Sequence, residues 1–102
     1  MEKVRNFYHK NQFVITGEGK TTFQSYDSTI AEITADGKLK LFSDWDYSQT
    51  TLKHLYLFLS DYKNELNAEI YKNIFSKGFE YSKNKKDFLQ KLIDKKIIKY
   101  WC

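Results

Sequence analysis

The sequence predicts an α+β domain: an N-terminal antiparallel sheet of three or four strands, a meander over about residues 12–43, packed against about three helices over about residues 48–98. Three observations lead there. Between Gln12 and Phe42 the apolar residues follow the short period of strands, interrupted by Gly17-Glu18-Gly19 and by Asp36-Gly37. After Trp45 the period becomes helical, with Leu52, Leu55, Leu59, Tyr62 and Leu66 spaced by three, four, three and four. Hydrophobic residues form 41 % of the 102 residues and aromatics 18 %, enough for one packed core and a single domain, 1–102.

The strands come first. Phe13-Val14-Ile15-Thr16 is a β-rich run closed by the glycine turn, Thr21 to Tyr26 follows it, and Thr29 to Thr34 forms the third run. Lys38-Leu39-Lys40-Leu41-Phe42 alternates lysine with leucine, as a half-buried fourth strand does. A two-residue turn ahead of it would set Ile33 opposite Lys40 and mix the faces. A three-residue loop of Ala35, Asp36 and Gly37 instead pairs Ile33 with Leu39 and Ala31 with Leu41, so that loop is predicted, with Gly37 in the left-handed conformation.

The helices follow. Ser48 or Asp46 can cap the first, over about residues 49–64; Leu57 and Phe58 lie off its apolar stripe, and exposure of both would point to self-association. A short second helix is predicted from Asn67 to Ser76, with Ile70 and Ile74 inward and Gly78 past its end. A third, from Asn84 to about Lys96, gathers Phe88, Leu89, Leu92 and Ile93 on one face. The final run, residues 97–101, is compatible with a closing strand or a frayed helix end.

Charge is unevenly distributed. The net charge is +4, from 17 Lys and Arg against 13 Asp and Glu; residues 1–51 carry −1 and residues 52–102 carry +5. Every basic residue but Arg5 is a lysine, which lacks the planar fork used to read bases. Cys102 is the single cysteine, so no internal disulfide is expected and a reducing compartment is. Residues 1–5 lead into polar sequence without an apolar signal core, and no run of about 18 apolar residues occurs. The expected location is therefore cytoplasmic, with no membrane partner.

Little in the sequence supports catalysis. His9 and His54 are the only histidines, a thiol at the last position is poorly held for nucleophilic attack, and the close acidic pair Asp44 and Asp46 suits helix capping better than an ion. The expectation is no enzyme, no metal and no cofactor. Binding has more to draw on. Ser48, Thr50, Thr51 and Lys53 crowd the start of the first helix, where free N–H groups favour an anion, although Ser48 and Thr51 can equally well serve only as caps. Lys85, Lys86, Lys91, Lys95, Lys96 and Lys99, near Tyr81, Tyr100 and Trp101, are either a basic surface for RNA or single-stranded DNA or a solvated face.

Two strings also carry a resemblance. Phe23-Gln24-Ser25-Tyr26-Asp27-Ser28-Thr29-Ile30-Ala31, and after the hairpin Trp45-Asp46-Tyr47-Ser48-Gln49-Thr50-Thr51-Leu52-Lys53-His54, resemble a pattern of small bacteriophage and prophage proteins that include anti-CRISPR inhibitors. The likeness covers about residues 12–60; the chain from Leu66 onward matches nothing nameable. It implies a phage-encoded inhibitor in the cytoplasm of the infected host, a monomer or small homo-oligomer, binding a class 2 CRISPR nuclease stoichiometrically with or without its guide RNA. The partner contacts it implies are Tyr26, Trp45, Tyr47, Lys53 and His54, joined by the lysines of the last helix. At +4 the chain departs from the acidic DNA mimics common among such inhibitors. The alternative is a phage nucleic-acid-binding accessory protein using the basic C-terminal helix.

Overall fold

The computed structural model describes residues 3–7 and 9–101, and Cys102, with the expectations placed on it, lies outside them. The chain runs β1 (Lys3–Phe7), β2 (His9–Gly17), β3 (Lys20–Ser25), β4 (Ser28–Ile33), β5 (Leu39–Phe42), α1 (Gln49–Asp61), α2 (Ala68–Ile74), α3 (Lys85–Asp94) and β6 (Lys99–Trp101). One-turn 3₁₀ segments, Lys63–Glu65 and Phe79–Tyr81, follow α1 and α2. The strands form one sheet in sequence order, β1 to β5 antiparallel and β6 parallel to β5. The α+β class and the meander are as the patterning predicts, and the helices form the crossover that returns the chain to the sheet.

Two strands exceed the expectation. β1 has little strand periodicity, since Lys3-Val4-Arg5-Asn6-Phe7 mixes charge and apolar residues irregularly; pairing with the longer β2 supplies its backbone partners, from Lys3↔Thr16 to Asn6↔Phe13. Of the ambiguous C-terminal run, Lys99–Trp101 is a strand, pairing Lys99 with Lys40 and Tyr100 with Leu41.

The turns follow residue chemistry. Gly17 pairs with Lys20 across Glu18 and Gly19, both at positive φ (54° and 78°), the twist a two-residue hairpin requires. Ile33 pairs with Leu39 and Ala31 with Leu41, and Gly37 has φ 82°, so the three-residue loop is present. The β3–β4 turn is less ordinary: Tyr26 has φ 53°, a conformation unfavourable for a bulky side chain, held by its N–H donating to Asn11 O at 2.7 Å and by Gln24 Nε2 donating to Tyr26 O at 2.9 Å. Beside it, pairing steps from Phe23↔Ala31 to Gln24↔Thr29, a bulge that leaves Ile30 extra and buried next to Ala31.

The core lies between the inward face of the sheet and α1. Val14, Phe23, Ala31, Ile33, Leu39 and Leu41 meet Leu55, Phe58 and Leu59, with the Phe23 and Phe58 rings stacked at 5.4 Å. Ser48 caps α1, its Oγ accepting from Thr51 N at 3.1 Å. Asn67 caps α2 and Asn84 caps α3 in the same way. Phe58 is fully buried and Leu57 half-buried, so the condition set for self-association through this pair is not met. Trp45 is 2 % exposed and closes the core at the end of the sheet, which corrects its expected role as a surface contact.

Candidate binding site at the start of helix α1

Strand alternation decides which side chains reach the start of α1. Val14 and Phe23 face inward beneath the helix; two residues further along their strands, Gln12 and Ser25 face the same way and are paired in register. The buried layer thus turns polar where the sheet meets the helix N-terminus. There, Thr51 is 7 % exposed, and its hydroxyl lies 3.1 Å from Ser48 Oγ.

A cleft of about 560 Å³ opens over this polar end. Gln12 and Ser25 of the sheet, Asp44 of the β5–α1 connection, and Thr50 and Thr51 of α1 line it, with Tyr26 and Tyr47 at its edges. The two tyrosines are 62 % and 80 % exposed, among the most exposed large side chains described. Gln12 is 2 % exposed, and its Oε1 has no hydrogen-bond partner among the described residues. Asp44 is the one formally charged residue of the lining.

Ser48 also borders a second cleft, of about 640 Å³, between the starts of α1 and α3. Lys53, Lys83, Lys85 and Lys86 line it, together with Asp46. Lys86 Nζ lies 3.3 Å from Asp46 Oδ2, which joins the two helix starts by an ion pair. Lys85 is held against the core: its Nζ is 4.8 Å from the Tyr56 ring centroid and 5.6 Å from that of Phe79, and it donates to Ser82 O at 3.0 Å.

The predicted residues therefore divide. Tyr26, Tyr47, Ser48, Thr50 and Thr51 meet at the polar cleft, while Lys53, Lys85 and Lys86 meet at the basic one. Ser48 and Thr51 are committed to capping, and Lys53 does not line the cleft that Thr50 and Thr51 share. His54 turns back along its own helix, with Nδ1 2.9 Å from Thr50 O. Lys91 and Lys95 line a third depression on the far side of α3, and Lys99 sits on β6, so the C-terminal lysines do not make one field. The sequence does not single out Gln12 or Lys83, and it offers Asp44 only as half of an acidic pair suited to helix capping. Gln12 had a signal: a polar residue two positions before Val14, on a strand whose alternate positions face the core.

Among the described residues no group of three or more His, Cys, Asp or Glu is placed to hold a metal ion, and no helix is long and apolar enough to cross a membrane. Fold and site together define a small α+β domain with a polar, tyrosine-edged cleft where sheet and first helix meet. The chain belongs to DUF8033, a family of unknown function, whose match spans residues 1–77. That span includes every residue lining the polar cleft and ends before Lys83, Lys85 and Lys86. No curated protein and no solved structure matches the chain.

Proposed function

We propose that this protein is a non-catalytic binding protein that engages a protein partner stoichiometrically through the face around the start of α1. The observation that carries the reading is the pair Tyr26 and Tyr47, 62 % and 80 % exposed, bordering a cleft that Gln12 and Ser25 of the sheet also line. Exposed tyrosines beside a concavity are the side chains that dominate protein interfaces, because they bury large area with few torsions to fix. Holding Tyr26 at positive φ, at the tip of a two-residue turn, fits a side chain presented outward. The class of partner comes from the phage-protein resemblance of residues 12–60: a class 2 CRISPR nuclease of the host, the chain acting as its inhibitor. Size-exclusion co-elution with guide-loaded nuclease, guide-free nuclease and guide RNA alone tests it. Co-elution with either nuclease form, lost in a Tyr26→Ala/Tyr47→Ala double variant, is the expected result; no complex with either form overturns the choice of partner.

A second reading, nucleic-acid binding, draws on the cleft lined by Lys53, Lys83, Lys85 and Lys86. It predicts retention of RNA alone, with affinity falling by a log–log salt slope of about −0.7 per phosphate contact to a single strand. A buried aromatic interface is far less salt-sensitive.

A further inference from the structure

We infer that the polar cleft takes the guanidinium of an arginine presented by the partner protein. The inference rests on the reading of the Tyr26–Tyr47 face as a docking surface and names what enters it. Gln12 carries the argument. A carboxamide 2 % exposed, on an inward strand position, is unfavourable unless hydrogen-bonded, and its Oε1 has no partner among the described residues. A leucine there would continue the apolar row begun by Val14. The missing element is a donor, and the terminal torsion of a glutamine is soft enough to turn Oε1 toward one arriving in the cleft.

Three further features select the kind of donor. The Asp44 carboxylate is the one formally charged group of the lining and makes no hydrogen bond or ion pair among the described residues, the Asp44 carbonyl alone accepting from Tyr47 N at 3.1 Å, so the lining favours a cation and disfavours a phosphate. The positive end of α1 opposes a cation near its N–H groups, which leaves Gln12 on the sheet side and Asp44 in the preceding loop as the acceptors. Tyr26 and Tyr47, both largely exposed, border the same cleft. Two acceptors on different elements, in a cleft bordered by two tyrosines, fit a flat group with several donors that can also stack on a ring. A guanidinium has five N–H donors in a plane, whereas an ammonium is a compact and strongly hydrated point.

The test titrates the isolated protein with N-acetyl-arginine methylamide, N-acetyl-lysine methylamide and methyl glucoside, followed by ¹H–¹⁵N NMR. The arginine probe is expected to shift the Gln12 side-chain amide and the Thr50 and Tyr47 backbone signals at millimolar concentration, the other two much less. Gln12→Leu and Asp44→Asn should each weaken that binding by at least about ten-fold. Gln12→Leu removes an orphaned polar group, so it should fold at least as stably as the parent and remain interpretable. No shift with the arginine probe, equal shifts with lysine or sugar, or unchanged affinity in Gln12→Leu each overturn the inference. Co-elution with the nuclease despite a silent arginine titration refutes the arginine site and leaves the inhibitor reading standing. Arginine binding without co-elution does the reverse.

Discussion

Gly37 in the β4–β5 turn and Asn67 at the start of α2 are packed backbone against backbone. Asn67 N donates to Gly37 O at 3.0 Å, Asn67 Nδ2 donates to Asp36 O at 3.3 Å, and a Cβ on Gly37 would stand 2.4 Å from Asn67 N. Asn67 meanwhile caps α2 through Oδ1, which accepts from Ile70 N at 2.9 Å. One asparagine thus ties the hairpin that ends the antiparallel sheet to the helix that begins 31 residues later.

Gly37→Ala should therefore be among the most destabilising single-atom-group changes in the chain. It combines a left-handed φ of 82° with a backbone clash, and a loss of at least about 2 kcal/mol is expected in thermal or urea unfolding. Gly78→Ala shares the positive φ, with nothing within 4 Å of the added carbon, and should lose only about 1 kcal/mol.

Phe58→Ala should cost about 3 to 5 kcal/mol, because it empties the contact with Phe23 at the centre of the core. Leu57→Ala removes a half-buried side chain and should cost clearly less. Paired urea titrations check the order, and a larger loss for Leu57 would contradict the placement of α1 on the sheet.

Trp45 should report a dry environment. In a Trp101→Phe variant, the remaining indole, 2 % exposed, is expected to emit at short wavelength and resist iodide quenching until the protein unfolds. Long-wavelength, readily quenched emission from the native state would place Trp45 at the surface after all.

Asp36 should titrate below the ordinary aspartate value of 3.8. The Thr34 hydroxyl, donating to its Oδ1, is the main cause, opposed by partial desolvation and helped by backbone N–H groups and by Lys38, whose Nζ is 3.8 Å from Oδ2. A carboxylate depressed in the folded state contributes stability above its ordinary value and loses that contribution as pH falls through its lowered one. A ¹³C carboxyl titration should find the depressed midpoint, and Thr34→Val should move it back upward.

The β4–β5 hairpin shows what was legible without coordinates. Its register follows from a two-residue side-chain period and a glycine able to take positive φ, both local properties, and Ile33↔Leu39 pairs accordingly. The starts of the helices were legible for the same reason, since Ser48, Asn67 and Asn84 satisfy N–H groups within their own first turns. β1 was not legible, because its partners are in β2 and its own residues carry no clear alternation. Nor was the burial of Trp45, which a turn residue between two aspartates gives no local reason to expect.

The site divides along the same line. Composition and order alone placed hydroxyl residues at the start of α1, tyrosines near the sheet–helix junction and lysines toward the C-terminus. Only tertiary structure brought Tyr26 of the β3–β4 turn, Tyr47 of the β5–α1 connection and Gln12 of β2 to one cleft, and separated Lys53 from Thr50 and Thr51 by joining it to Lys83 and Lys86. Capping and turn chemistry act over three or four residues and can be read along a chain. A cleft is formed by residues dozens of positions apart, and which of them share it depends on the strand pairing and helix packing that bury the apolar core.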